Sequence, residues 1–419
     1  MTDFTPQPSC ATPEPVSTLK VEDARQKILQ QITAISCWRK VALRDALGQV
    51  LHEDVISPLS VPPHANSAMD GYALRGEDLK HDSISLKRVG SAFAGKPFNK
   101  TVNAGECVRI MTGAMMPEGC DTVIMQEQAE VDNDLITLHG EHHSGENVRL
   151  AGEDIQTGAV VLTAGRRITA ADLGLLASLG FAELKVRRRI RVAFFSTGDE
   201  LRSLGETLNP GDIYDSNRYT LHAMLTRLDA EIIDMGVITD SPEALRQALL
   251  QAAEEADVVI TSGGVSVGEA DYVKQLLDEL GEVHFWKIAM KPGRPLAYGK
   301  IAETHFFGLP GNPVSVMVTF YQFVQPALHK LAGAVYHAPI VLQAVAAENI
   351  RKRPGRFEFQ RGLLRSNSAN QLEVTMTGEQ GSGILHSMSH ANCFILLDED
   401  CDGVAAGQSV TVQPFAGLI

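Results

Sequence analysis

The stretch DVVITSGGVSVGEADY (Asp257–Tyr272) decides the fold. Its opening, DVVITS, is short, apolar and rich in β-branched residues, the pattern of a strand buried on both faces of a parallel sheet. It then breaks into glycines and hydroxyls. Beyond it, Val273, Leu276, Leu277 and Leu280 recur at the spacing of one helical face. A buried strand that turns through glycine into a helix is half of a βαβ unit. The same grammar repeats on both sides. VAFFS (Val192–Ser196) precedes a helix expected near Ser216–Leu228. EIIDMGVI (Glu231–Ile238) precedes a helix that opens with Ser241 as N-cap and Pro242 at its first position, running to about Ala256. Two more strands, near Val283–Ala289 and His305–Leu309, lead to a helix over Pro313–Leu331. Strand alternating with helix predicts a doubly wound, mostly parallel sheet covered on both faces.

The flanks read differently. Residues 1–16 are rich in Thr and Pro and read as a disordered tail without the features of a signal peptide. Val21, Ala24, Ile28 and Ile32 mark an amphipathic helix, and a second short helix is expected near Leu43–Leu51. Pro58, Pro62 and Pro63 end that pattern, and short strands and turns follow to about Asn147. TAADLGLLASLG (Thr169–Gly180) is helical again, with Thr169 and Asp172 spaced for a capping box. Near the C-terminus, RFEFQRG, QLEVTMTG, NCFILLDE and QSVTVQPF suggest a small β-barrel. The expected fold is therefore multidomain α/β plus β. Its parts are a discontinuous helical domain I (17–57 and 148–188), an inserted β domain II (58–147), an α/β domain III (189–334) and a C-terminal β-barrel domain IV (335–419).

Composition narrows the function. The 419 residues carry a formal net charge of −14, which argues against nucleic-acid or acidic-membrane binding. No apolar run approaches the roughly 18 residues of a membrane helix. Six scattered cysteines without a Cys-x-x-Cys pair argue against structural zinc and for a reducing, cytoplasmic setting. An anionic ligand would need local cations. Lys287, Lys291 and Arg294 form one cluster, Arg351, Lys352, Arg353 and Arg356 a second, and Arg187, Arg188, Arg189 and Arg191 a third. A solvated face is the plain alternative for each.

Three motifs carry chemistry. In TSGGVSVGEADY, Gly263, Gly264 and Gly268 allow close backbone approach to a ligand, with Thr261, Ser262 and Ser266 as hydroxyl donors. The turn lies at the carboxyl end of a strand, where open α/β sheets bind ligands. It is neither GxGxxG nor a Walker loop, because Glu269 stands where the lysine would be. In GLPGNPVS (Gly308–Ser315), Asn312 is a good N-cap, and a helix start offers N–H groups and a positive dipole end to an anion. The rigid run KIAMKPGRP brings its cations to bear on an oxyanion such as phosphate or molybdate. In STGDEL, Asp199 and Glu200 follow the first buried strand, and Asp271 opens a later helix. Carboxylates beside a phosphate site suit Mg²⁺. Asp271 could equally be an N-cap, and Asp70 before Gly71 and Thr112 before Gly113 read as turn residues. The histidines form no site with matching ligand spacing.

Taken together, NSAMDGYA, FAG, RIMTGA, MQEQ, GEDI, FSTGDEL, IYDSN, TSGGVSVGEADY, KPGRP, GLPGNPVS and PGRFEFQRG, in this order, resemble the molybdopterin molybdenumtransferase family, MoeA in bacteria and the E domain of gephyrin. The resemblance implies an elongated four-domain protomer with a MogA-like α/β domain, assembled as a homodimer and meeting other molybdenum cofactor biosynthesis proteins. It implies that adenylylated molybdopterin and molybdate are the substrates, that molybdenum is inserted at the dithiolene sulfurs, that AMP leaves and that Mg²⁺ assists. On the same basis Glu200, Asp240 and Asp271 are acidic site residues, with Glu200 and Asp271 the metal ligands. Asp70, Thr112 and Asp154 are site residues from the smaller domains. Lys291, Arg294, Ser315, Arg361 and Ser382 are positions for molybdate or the terminal phosphate, with Lys287 a further cation and Gly263, Gly264, Ser266, Gly268 and Asn312 substrate-binding. His64–Ala65 replaces the family's usual aromatic–acid pair, and Arg294 stands where Lys is common.

Overall fold

A computed structural model describes residues 18–79, 83–264 and 271–415. The tail read over 1–16 lies outside them, as do Ser266 and Gly268. The chain forms two compact units. One comprises residues 1–39, 48–50 and 187–419, the other 40–47 and 51–186.

The first unit is built on a seven-stranded sheet. Its spatial order is Thr18–Leu19, Gly281–Ile288, Pro295–Ile301, Thr304–Leu309, Val258–Ser262, Arg191–Thr197, Glu231–Ile238. The last four of these strands run parallel. Alternation along Arg191–Thr197 divides the core: Val192 and Phe194 pack on one face, Ala193 and Phe195 on the other. The first face also buries Val21, Ala24 and Ile28 of the helix Val21–Gln31. Ser241 caps the helix Pro242–Glu255 by accepting the Ala244 N–H.

The sheet also holds a strand that the sequence pattern hid. Pro295–Ile301 pairs antiparallel with both Gly281–Ile288 and Thr304–Leu309. Its proline and glycine read as a break, yet Gly299 is required: a Cβ there would lie 2.0 Å from the Glu282 carbonyl oxygen. The expected single helix over 313–331 is an α-helix Pro313–Thr319, a π-helical turn Phe320–Val324 and an α-helix Gln325–Leu331. Pro326 has no N–H to offer the Gln322 carbonyl. Arg25 Nε supplies it instead, at 3.1 Å.

Five strands of the same unit close a barrel: Leu342–Ala346, Phe357–Ser366, Leu372–Met376, Cys393–Leu397 and Ser409–Pro414. Phe357–Ser366 closes the ring by pairing with both Leu372–Met376 and Cys393–Leu397. It also takes Met290–Lys291 as a parallel edge partner.

The second unit has a core on each face of a sheet and one further core. A six-stranded sheet between Gly71 and His139 buries Ala73, Val108, Ile110 and Val123 on one face and Tyr72, Leu86, Ile124 and Ile136 on the other. The other core joins residues from before and after that sheet, among them Ala46, Leu51 and Val55 with Leu162, Leu176 and Val186. Its helix is Ala170–Ser178, with the Thr169–Asp172 capping box in place. The short helix expected near Leu43–Leu51 is a correction: only Leu43–Asp45 is helical, as one 3₁₀ turn. Gly48 then turns the chain at φ +75°, and Leu51 bridges to Val186 as extended backbone.

Candidate active site

The four adjacent parallel strands of the first unit end on one side, and a cleft of about 1140 Å³ opens there. Four strand-end loops line it: Gly198–Leu201 after the first strand, Asp240 after the second, Gly263 and Gly264 after the third, and residues 310–313 after the fourth. This is the ligand position of an open α/β sheet, where the strand order reverses: the chain passes from Arg191–Thr197 to Glu231–Ile238 on one side and then to Val258–Ser262 on the other.

The glycine turn is held at close quarters. Gly263 has φ +92°, and a Cβ on it would lie 2.5 Å from the Thr197 carbonyl oxygen. Its N–H donates to the Leu309 carbonyl at 3.1 Å. Asn217 joins this turn to the next: its Nδ2 donates to Ser262 Oγ at 2.8 Å and to the Gly311 carbonyl at 2.7 Å. Asn217 lies in the first turn of helix Ser216–Arg227, whose cap Asp215 accepts the Arg218 N–H. The acidic wall includes Glu200 and Asp240, with Asp199 and Asp215 also lining the cleft. The Glu200 carboxylate folds back over Gly198, and Thr197 Oγ1 donates to Asp240 at 3.4 Å.

The opposite wall is cationic. Lys291, Arg294 and Arg356 line it with Ser315 and Ser382. Gly293, at φ +96°, fits against Thr319 Oγ1, which a Cβ would approach to 2.6 Å. Lys291 Nζ lies 3.5 Å from Glu358, whose side chain is 7% exposed. Residues 380–383 form the last segment of the wall, and the Ser382 carbonyl accepts the Val314 N–H at 3.1 Å. That N–H at the helix start is thus already taken by protein. Asn312 occupies the cap position without a side-chain cap bond.

Sequence comparison gives this arrangement a family. Residues 19–180 match the MoeA N-terminal region (domains I and II), 193–330 a probable molybdopterin binding domain and 343–415 the MoeA C-terminal region (domain IV). A molybdopterin molybdenumtransferase of Haemophilus influenzae is 46% identical over 403 residues, 96% of this chain and 100% of the relative. The chain belongs to the MoeA family of molybdopterin molybdenumtransferases. A relative of the same name from Nostoc sp. is 36% identical, across 98% of this chain and 94% of its own. The crystal structure of the molybdopterin biosynthesis protein MoeA from Pyrococcus horikoshii superposes with a TM-score of 0.84 at 30% identity, covering 95% of this chain and 100% of that one.

Of the positions that the MoeA resemblance singles out, the cleft gathers Glu200, Asp240, Gly263, Gly264, Lys291, Arg294, Asn312, Ser315 and Ser382. Lys287 is not among its lining residues. The side chain of Asp271, at the start of helix Asp271–Leu280, lies outside the described set.

Arg361 is placed differently from a ligand-binding residue. It is 1% exposed. Its guanidinium donates to the carbonyls of Gln380, Glu379 and Gly381 and to Ser387 Oγ. Burial lowers its pKa to about 10, which leaves it charged at neutral pH. Its partners belong to the segment that carries Ser382.

Asp70, Thr112 and Asp154 belong to the second unit. Asp70 accepts the Thr112 N–H at 2.7 Å and the Thr112 hydroxyl at 2.8 Å. These bonds, backbone first, hold its carboxyl below the usual range. Asp154 is exposed and its N–H donates to the Val61 carbonyl.

Asn217 and Arg356 are among the lining residues to which the motifs assigned no role. Asn217 sits inside the IYDSN run, where its cross-turn role leaves no local signature. Arg356 stood in a basic cluster whose other members do different work: Lys352 is buried, and its Nζ donates to the carbonyls of Arg353, Glu399 and Cys401. The Arg187–Arg191 cluster is structural. Arg188 pairs with Asp257, Arg189 with Asp229, and Arg187 donates to the Ile35 carbonyl.

Proposed function

We propose that this chain transfers molybdenum from molybdate to adenylylated molybdopterin, with release of AMP. The observation that carries the reading is the two-sided cleft, carboxylates on one wall and cations on the other, across a glycine turn that lets a phosphorylated ligand approach the backbone. Lys291, Arg294 and Arg356 offer N–H donors to oxyanions, and Arg294 and Arg356 can do so in bidentate geometry. Ser315 and Ser382 add hydroxyls between them. Gly263 and Gly264 take the pterin phosphate end. Such a site works by positioning two reactants and offsetting their charge rather than by a protein nucleophile.

Glu200 and Asp240 are hard oxygen donors on one wall, which suits Mg²⁺ held by few carboxylates and completed by phosphate and water. Among the described residues no three His, Cys, Asp or Glu side chains are grouped as metal ligands. When bound there, Mg²⁺ would offset charge on the phosphoanhydride. Asp70, kept ionised by Thr112, is assigned an electrostatic role, as is Asp154. We further propose a homodimer in the cytoplasm; among the described residues no helix is long and apolar enough to cross a membrane.

The test is AMP release from adenylylated molybdopterin with and without molybdate, with magnesium present or chelated. The reading requires release that depends on both. Release indifferent to molybdate would refute it.

A further inference from the structure

Lys291 reaches the cleft with a carboxylate already beside it. Backbone pairing sets this up, since Met290–Lys291 lies parallel to Phe357–Glu358 with Lys291 opposite Glu358. The two partners are unequal. The Lys291 side chain is 49% exposed, whereas that of Glu358 is 7% exposed. Glu358 is also held from behind: Gln360 Nε2 donates to its Oε2 at 2.9 Å, and the same amide donates to the Arg351 carbonyl. The carboxylate is therefore fixed, and the half-exposed ammonium is the mobile member of a loose 3.5 Å pair.

We propose that Glu358 is a built-in competitor for the anion subsite, holding Lys291 and yielding it when a tetrahedral oxyanion binds. The inference rests on the functional reading above. An oxyanion at Lys291, Arg294 and Ser315 must draw the ammonium from Glu358 or share it. The carboxylate also repels the arriving charge. Both effects weaken anion binding, which keeps abundant anions from occupying the cleft and lets a product anion leave. A single contact at 3.5 Å orients Lys291 little, so competition outweighs positioning.

The experiment measures molybdate binding to the full chain by calorimetry at fixed ionic strength, with sulfate as a second tetrahedral probe. Glu358→Gln keeps the shape and an acceptor for Gln360 but removes the charge. Its molybdate dissociation constant is expected to fall roughly two- to fivefold, the scale of a partly exposed ion pair. Sulfate should move in the same direction. The gain should vanish in a Lys291→Met background, which a merely structural role for Glu358 would not produce. In turnover, half-saturation should fall for molybdate and stay unchanged for the adenylylated pterin. Should Glu358→Gln fail to fold, Glu358→Asp serves, with its carboxylate withdrawn by one methylene and a smaller gain expected. Unchanged or weaker binding in the folded variant overturns the proposal. Loss of molybdate binding by the wild-type chain would instead overturn the functional reading, and this inference with it.

Discussion

Replacing Arg361 by methionine separates two roles that a buried arginine beside a cleft can play. Methionine matches the length of the stem and fills the same volume, but it donates nothing. Four contacts are lost, to the carbonyls of Glu379, Gln380 and Gly381 and to Ser387 Oγ, at 2.9–3.2 Å. Hydrogen bonds to a charged donor contribute about 1.5–3 kcal/mol each, but the variant also escapes the cost of burying a guanidinium. The exposed segment 379–383 can turn its carbonyls to water, which limits the loss further. The net expectation is a loss of about 2–4 kcal/mol, a large part of the ~5–15 kcal/mol that holds a domain. Urea unfolding measures it. Hydrogen exchange locates it: amides of residues 379–383, and the Val314 N–H bonded to Ser382, should exchange faster, while Arg191–Thr197 stays protected. Molybdate binding should weaken with the loosened wall. Full stability and unchanged exchange together with lost molybdate binding would refute the reasoning, because Arg361 would then be a direct ligand.

Four further outcomes follow from individual contacts. Lys291→Ala should raise the molybdate concentration for half-maximal activity at least severalfold, and an unchanged dependence removes Lys291 from the oxyanion subsite. Gly263→Ala places a Cβ 2.5 Å from the Thr197 oxygen at φ +92°; a cost of about 1–3 kcal/mol and loss of turnover are expected, and a neutral outcome in both denies the turn its close fit. His305, 5% exposed against Tyr298, has its pKa pushed down to about 4 by burial from an ordinary 6.5. The unfolded chain then binds the extra proton between those values, so stability is full above pH 6.5 and falls by roughly 3 kcal/mol toward pH 4; His305→Gln should flatten that slope in unfolding scans, and an unaltered slope contradicts it. Thr112→Val removes the hydroxyl from Asp70 but keeps the N–H, so the Asp70 carboxyl should titrate closer to its ordinary value by carbon NMR; an unmoved titration would show that the hydroxyl does nothing.

How much of this was legible in the sequence depends on how local each signal is. The glycine turn, the Ser241 cap and the Thr169–Asp172 box are set by residues within a few positions; the structure holds the cap and the box, and of the turn it describes Gly263 and Gly264, both at positive φ. The strand Pro295–Ile301 was not legible, because Gly299 is there for a neighbouring strand rather than for a turn. At the π-helical turn Phe320–Val324, the carbonyl that Pro326 leaves open is met by Arg25, almost three hundred positions away. Charge clusters were the least legible. Lys352, Arg356 and Arg361 lie within ten positions of one another, yet two are buried against carbonyls and only Arg356 lines the cleft. Sequence gives the charge, but only packing gives its direction.

The strand order explains why the anion subsite would need a competitor of its own. Glu200 and Asp240 follow Arg191–Thr197 and Glu231–Ile238, the far end of the parallel run. The cations gather at the other end, where Gly293 packs beside the Ser315 helix start that follows Thr304–Leu309. Three strand spacings of about 4.8 Å separate Thr304–Leu309 from Glu231–Ile238, which leads to Asp240, and two separate it from Arg191–Thr197, which leads to Glu200, roughly 14 Å and 10 Å. Both exceed a Debye length of about 8 Å at physiological salt, so in an open cleft the acidic wall acts on the affinity at Lys291 less than a carboxylate in contact does. The overall charge of −14 is spread more widely still. Attenuation has to come from a carboxylate in contact with the ammonium, and on the barrel strand that pairs with Lys291 that residue is Glu358.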